Sequence, residues 1–423
     1  MPTQRGLTQD PEFLKFWAAS AVSDVGSQVS ALALPLIAVL TLGATAWQMG
    51  LLSAAGSAPV LLVGLFAGVW VDRLRRRPVM IVADLARAAL LLLVPLASAF
   101  GVLSIGILYA VTLLAGTFSV LFDVAFLAFV PSLVPGRALM DANSKLETTS
   151  SMAQVAGPGV GGVLVSALGA PFAVLIDALS FLGSALFLLR TRVTEARSAS
   201  PAGRASVLAE IREGLEVVVR HPILQALARC SATTSLFSAM FLSVYVLYMT
   251  HDLGLGPVAV GLVFATGGVG SLAGALVAGR AARRYGPGPV MLYAILLFGL
   301  TGLAVPLAVL VPRVALPMVV GSEFAQWMAI VVYYVNAVSV RQAIATNRLQ
   351  GRIHATMRFL ARGAFPVGSL IGGALGSMIG VPLTLVVAAF GLLLAFVWLL
   401  LSPVRSLRAM PQSEQAEPVP VSR

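Results

Sequence analysis

Charge is scarce in this chain of 423 residues: Asp, Glu, Lys and Arg together make up 11% of it. A soluble domain carries about a quarter. Hydrophobic residues reach 58%, and the mean hydropathy is +0.94. This composition excludes a water-soluble globular protein and leaves a polytopic membrane protein. Cysteine is nearly absent as well. The single Cys230 excludes an intramolecular disulfide and a cysteine-based metal cluster, and its apolar neighbours make it a small buried side chain. The three histidines, at 221, 251 and 354, are too dispersed to suggest a metal site. No G-x-x-x-x-G-K-[ST] loop occurs, which argues against ATP-driven pumping by this chain alone. No nucleophile–base constellation suggests an enzyme, and no cofactor is expected. The polar segment from Met1 to Glu12 lacks the apolar core of a cleaved signal peptide.

What the chain does have is apolar runs. A helix rising 1.5 Å per residue needs about 20 residues to cross roughly 30 Å of hydrocarbon. Twelve stretches qualify: 14–41, 47–71, 78–100, 104–130, 147–168, 171–190, 223–250, 257–279, 288–311, 314–340, 355–379 and 381–402. The third, fourth and tenth are each interrupted by an acid. The 28 basic residues outnumber the 17 acidic ones, and all but Lys15 and Lys145 are arginine. They fall between the apolar runs, which fits a membrane protein and argues against nucleic acid as a partner. With the N-terminus inside, nearly every basic residue outside the spans falls on one face, from Arg5 and Arg73–Arg77 to Arg405 and Arg408, and only Arg313 on the other. That asymmetry predicts that both termini are cytoplasmic. The outer loops are too short to form an extracellular domain.

Five segments follow: a cytoplasmic lead 1–12, a first six-helix bundle 13–190, a linker 191–222, a second bundle 223–402 and a tail 403–423. Within the linker, Val207, Leu208, Ile211, Leu215, Val218 and Val219 recur at helical spacing, with Glu210, Arg212, Glu213, Glu216 and Arg220 opposite. This is an amphipathic helix lying on the inner membrane surface, or simply a tether between the bundles. The tail is rich in Pro, Ser, Gln and Glu and reads as disordered.

The two bundles are copies. Residues 42–80 align without a gap onto 253–291, with 14 identical pairs among 39 that include Gly50/Gly261, Gly68/Gly279, Arg73/Arg284 and Pro78-Val79-Met80/Pro289-Val290-Met291. Chance would match roughly one position in ten. The same shift places Gly157 on Gly368 and Gly161-Gly162 on Gly372-Gly373. Duplicated halves in a very apolar chain point to a transporter.

The loop after the second span reads Gly68-Val-Trp-Val-Asp72-Arg73-Leu-Arg-Arg-Arg77, with a weaker copy at Gly279-Arg-Ala-Ala-Arg283-Arg284-Tyr-Gly286. This resembles the G-x-x-x-D-R-x-x-R-R signature of the major facilitator superfamily. Ala153-x-x-x-Gly157-Pro158-x-x-Gly161-Gly162 in the fifth span resembles that superfamily's antiporter signature, with Ala in place of the first Gly. Phe122-Asp123 with Pro131, Ala142-Asn143-Ser144, Ile176-Asp177-Ala-Leu-Ser-Phe181 and Val338-Ser-Val-Arg341-Gln342 look like the branch of macrolide-type and enterobactin exporters. The resemblance covers the chain to about residue 402. It implies an all-α fold of twelve transmembrane helices in two pseudo-symmetric bundles, alternating access and proton-coupled efflux of a small molecule. It also implies a bacterial cytoplasmic membrane and a monomer surrounded by lipid. The fourth span lacks the buried Arg of some other antiporter branches, so a coupling scheme built on that Arg does not transfer.

Ionisable residues inside spans cost a few kcal/mol each and are functional candidates by default. Asp24, Asp84, Asp123, Asp177 and Glu323 qualify. In the superfamily fold, spans one, four, seven and ten line the central cavity, and Asp24, Asp123, Arg229 and Glu323 sit on them, one each. A carboxylate withdrawn from water can hold a proton near neutral pH. Asp24 and Glu323 are therefore the proton-coupling candidates, and either is also suited to a cationic substrate. Phe122, Tyr245 and Trp327 are candidates for the cavity wall, with the alternative that they are ordinary core. The signature loop implies a cytoplasmic latch of Gly68, Asp72, Arg73, Arg77 and Asp123 with Arg358 and Arg362 at the start of the eleventh span. There the exposed amides of a helix N-terminus favour a carboxylate by roughly 0.3–1 kcal/mol. The alternative is that Arg73–Arg77 only enforce topology. Asp84 with Arg87 three residues on reads as an intrahelical pair. Gly157, Pro158, Gly161 and Gly162 suit a close helix crossing. Export is the leading function; an importer or facilitator on the same fold, or a non-transporting sensor or scaffold, remain alternatives.

Overall fold

In a computed structural model, residues 7, 10–191, 215–344 and 350–410 are described, with side chains left out at Leu65, Gly68, Val69, Asp72, Arg73 and His354. Every long element is helical. In hydrocarbon no water is available to satisfy backbone N–H and C=O groups, and a helix satisfies them within one segment. The order is α1 (Pro11–Leu36), α2 (Ala46–Leu62), α3 (Gly64–Arg73), α4 (Arg76–Ala99), α5 (Ile105–Leu133), α6 (Leu139–Leu168) and α7 (Ala170–Arg190). A short helical stretch over 215–220 is α8. Then come α9 (Pro222–Leu247), α10 (Pro257–Tyr285), α11 (Pro287–Leu307), α12 (Ala315–Ile344), α13 (Gln350–Ile379) and α14 (Val381–Leu400). Among the described residues, eleven helices are long and apolar enough to cross a membrane. The expected second span is supplied by α2 and α3 in series. Pro59 removes a ladder hydrogen bond, and one turn later the helix breaks at Val63, where φ is −107°.

The duplication holds at the level of single residues. The bounds of α1 and α9 and of α6 and α13 are displaced by the sequence shift at both ends, and those of α5 and α12 at their C-terminal ends. So are the π-helical turns Ile37–Thr41 and Tyr248–Asp252. Gly169 and Gly380, with φ of 84° and 86°, make the one-residue turns into α7 and α14, where a side chain would be strained. Apart from the α2–α3 break, which α10 lacks, residues related by the shift occupy equivalent places in the two halves.

The chain divides into two compact units. One holds Met1–Ala202, Leu242–Gly268 and Ser369–Pro382; the other holds Gly203–Phe241, Val269–Gly368 and Leu383–Arg423. The first has an aromatic core in which Phe16 stacks on Phe126 at 4.9 Å, beside Phe13, Phe122 and Phe129. The second is built on Met291, Ile295, Phe298, Tyr333, Leu392 and Leu399. Of the expected linker helix, residues 192–214 lie outside the described residues. Within α8, Val218 is buried against Leu224, Ala228, Ile353 and Met357. The described start of the expected tail is packed: Val404 is fully buried, and the Leu407 carbonyl accepts from the Gly288 amide at 3.0 Å.

The halves solve one packing problem in opposite ways. Gly26 of α1 leaves room for Asp177 and Ser180 of α7; a Cβ at 26 would meet Asp177 Oδ1 at 2.6 Å. In the second half the equivalent of Gly26 is Phe237, and the equivalent of Ser180 is Gly391, whose missing Cβ admits the Phe237 ring. Large and small have changed places across the interface. Gly391→Val is therefore expected to lower the thermal midpoint of the detergent-solubilised protein through overpacking of about 1–3 kcal/mol. Adding Phe237→Ala is expected to recover most of that loss, as coupled neighbours do in a double-mutant cycle; additive losses would refute the contact.

Candidate functional site

In the first unit, α1, α5 and α6 enclose a cavity of about 440 Å³. Its wall carries three carboxylates, Asp24, Asp123 and Glu147, with Ser20 and Asn143 and the rings of Phe122 and Phe126. The lining contains no basic side chain. Phe122 is buried and stacked on Phe126 with centroids 6.0 Å apart, so it forms a fixed wall. Two expected residues, Asp24 and Asp123, thus meet on one surface with one expected ring, Phe122. Glu147 was not expected there. It is the first residue of the apolar run that becomes the second part of α6, where an acid reads as a span border. The helix starts eight residues earlier, at Leu139. Trp17 of α1 fastens this wall by donating Nε1–H to Thr149 Oγ1 of α6 at 2.8 Å.

In the second unit Glu323 is only 5% exposed and accepts from Trp327 Nε1–H at 2.8 Å, one turn along α12. Gln326 is buried beside it on the same helix. Arg229 is exposed and lies 5.1 Å from the Trp398 ring centre. That fits a cation held over an aromatic face. Tyr245 belongs to the first unit, where it is 1% exposed and meets Phe264 edge-on at 5.8 Å. It is a core residue there.

The inner-surface candidates are placed unevenly. The side chains of Gly68, Asp72 and Arg73 lie outside the described residues. Arg77 donates through Nε and Nη2 to the Leu188 and Leu189 carbonyls, both at 2.8 Å, and so closes the C-terminal end of α7. Arg358 and Arg362 are exposed on the first half of α13.

The glycines of α6 divide between two neighbours. Gly157 and Gly161 face α1: a Cβ at Gly157 would run into Gln28, and one at Gly161 would touch Val29 Cα at 3.4 Å. Gly162 faces α10 instead. A Cβ there would meet the Pro257 carbonyl oxygen at 2.6 Å and Gly261 Cα at 3.1 Å. In the same unit α2 crosses α13 in the same way, where a Cβ at Gly50 would lie 2.7 Å from both Gly373 Cα and the Ser369 carbonyl oxygen. Gly50 and Gly261 are repeat partners, as are Gly162 and Gly373. The two crossings are therefore one contact made twice. Both were visible as identical pairs in the repeat, but identity alone did not say what they touch.

Beside the α2–α13 crossing, Ser53 Oγ and Ser369 Oγ are 2.9 Å apart. Sulfurs at these positions are within disulfide reach. Ser53→Cys with Ser369→Cys is expected to form an intramolecular disulfide on mild oxidation, read by peptide mass spectrometry. Cys230 is fully buried and will not compete. A pair that stays reduced would refute the crossing.

A family model described as "transmembrane secretion effector" matches residues 7–422. The multidrug efflux pump Tap of Mycolicibacterium fortuitum is 30% identical over 387 residues, covering 89% of this chain and 92% of that protein. Tap of Mycobacterium tuberculosis strain H37Rv is 28% identical over 430 residues, covering 98% and 99%. Among solved structures, the nucleoside transporter NupG aligns with a TM-score of 0.76 at 12% identity over 92% of this chain and 98% of that one. A bacterial homologue of ferroportin in its inward-facing state aligns at 0.74 and 16% identity, over 94% and 99%. The fold is that of major facilitator transporters, and the chain is a multi-pass membrane protein that belongs to the transmembrane secretion effector family.

Proposed function

We propose that this chain is a proton-coupled exporter of small organic compounds, such as drugs, antibiotics or siderophores, working by alternating access. The observation that carries this reading is the cavity of the first unit, where Asp24, Asp123 and Glu147 face the Phe122 and Phe126 rings. Rings accept varied apolar bodies, and carboxylates favour either a proton or a positively charged group. The name of the Tap relatives supports export of drugs rather than uptake. The cell membrane of a bacterium, with both termini cytoplasmic and a single chain as the working unit, completes the proposal.

On this reading Asp24 exchanges the coupled proton in the first half and Glu323 in the second. The crossings Gly50–Gly373 and Gly162–Gly261 form a gate, because they seal only while backbones touch. Gly68, Asp72, Arg73 and Asp123 with Arg358 and Arg362 form the opposite, cytoplasmic latch, and Arg77 anchors α7 beside it.

The test is efflux of fluorescent cationic dyes, macrolides and siderophores from energised cells overproducing the chain, with and without a protonophore. Uncoupler-sensitive export of at least one compound is expected. Asp24→Asn is expected to reduce that export at least about tenfold at equal membrane level, the loss of roughly 1.4 kcal/mol of coupling. Export that survives the uncoupler, or that Asp24→Asn leaves intact, would overturn the proton scheme.

A further inference from the structure

Asp24, Asp123 and Glu147 line the cavity of the first bundle, Asp84 and Asp177 are buried behind it, and among the described residues Arg87 is the base buried with them. Asp84 and Arg87 are 0% and 4% exposed and form an ion pair within α4. Ser184 of α7 donates to the second oxygen of Asp84 at 2.7 Å. The Arg87 guanidinium is clasped between two rings, 4.3 Å from the centre of Phe122 on α5 and 4.0 Å from that of Phe181 on α7. Its Nε has no hydrogen-bond partner. Phe122 also lines the acidic cavity, so Arg87 sits one ring behind the cavity wall.

The second bundle supplies an internal control. The equivalents of Asp24, Asp84, Arg87, Asp123 and Asp177 are Ser235, Ile295, Phe298, Tyr334 and Ala388, none of them charged. Ser184 is matched by Ala395. Ile295, Phe298 and Ala395 are buried in the core of the second unit. The fold therefore builds this layer without an ion pair. A buried pair is weak in stabilising value, because desolvation offsets its attraction. Its retention in one half alone calls for another purpose.

We propose that Arg87 is a positioning residue for proton coupling: held behind Phe122 by Asp84, it is the counter-charge that sets whether the cavity carboxylates Asp24 and Asp123 carry protons. The proposal rests on the reading that those carboxylates exchange protons. The groups facing this layer are Asp24 of α1, Asp123 of α5, Glu147 of α6 and Asp177 of α7. Asp72 and Arg73 of α3 lie outside the described side chains. One ring, that of Phe122, separates the Arg87 guanidinium from the cavity that holds Asp24 and Asp123, so its charge acts on them at short range. One positive charge among so many acids makes their titrations interdependent. A proton leaving one carboxylate is tolerated to the extent that Arg87 can turn part of its field toward it.

The test labels the purified full-length protein in nanodiscs with a fluorescent carbodiimide, which reacts with protonated carboxyls in apolar surroundings, over a series of pH values. Peptide mass spectrometry then reports occupancy at Asp24 and Asp123. Replacing both members of the pair, Asp84→Asn with Arg87→Gln, removes the positive charge nearer the cavity without leaving a lone buried charge. The labelling midpoint is expected to move up by roughly one pH unit, the scale on which a neighbouring charge acts. Asp84→Asn alone leaves Arg87 unshared and is expected to move the midpoint down, and Arg87→Lys to leave it nearly in place. Opposite signs from two neutralising changes would not arise from a structural role. A double variant that stays monodisperse and titrates like the parent overturns the proposal while the proton reading stands. If neither Asp24 nor Asp123 of the parent labels in a pH-dependent way, both readings fall together.

Discussion

Packing without a hydrophobic driving force is the constraint on which the rest of this structure depends. Between helices in lipid, burial of apolar surface gains little, because the tails are as apolar as leucine. Tight association must then come from shape. Close helix crossings in this protein are accordingly made by glycine, as with Gly50 against Gly373 and Gly162 against Gly261 at near-contact of the backbones. Such contacts hold while the surfaces match and lose most of their attraction when they part by an ångström. That property suits the gate proposed for these crossings.

Duplication adds a second constraint, because each half inherits the same helix bounds. The crossings keep the inheritance: one glycine contact is used twice. The charged layer does not. Where the first half has Asp84, Arg87 and Ser184, the second has Ile295, Phe298 and Ala395. The exchange of Gly26 and Ser180 for Phe237 and Gly391 shows the same divergence without any charge. A close fit was kept at this contact while its residues changed, and fit is the quantity that packing is sensitive to.

How much was legible in the sequence follows from which of these constraints is local. Span positions, the duplication and the carboxylates at Asp24, Asp123 and Glu323 are one-dimensional features, and the fold class follows from them. The Asp84–Arg87 pair is local too, since three residues bring side chains together on a helix. What the sequence could not place are the partners across helices. Nothing in the run containing Ser184 and Phe181 says that Ser184 meets Asp84 and Phe181 meets Arg87. Glu147 reads as the border of a span because its helix begins earlier than the apolar pattern does. Tyr245 has the composition of a cavity residue and is core. The break at Val63 follows one turn after Pro59, and a proline within an apolar run does not by itself say whether the helix bends or breaks.

The distribution of symmetry bears on mechanism. A two-state transporter needs surfaces that separate alike on either side of its axis, and it needs one place where the driving ion is handled. On the proposed function, repetition serves the first requirement and departure from it the second. In this chain the glycine crossings are repeated, and the acids within the spans, with Arg87 among them, are not. Glu323 has its own unlike partner in Thr112. Each half therefore carries a carboxylate that the other lacks, in a different setting: one opens onto an aromatic cavity, the other is buried and held by Trp327. Two carboxylates in unlike surroundings release protons under different conditions. A cycle that must take up a proton in one state and give it up in another requires that kind of difference.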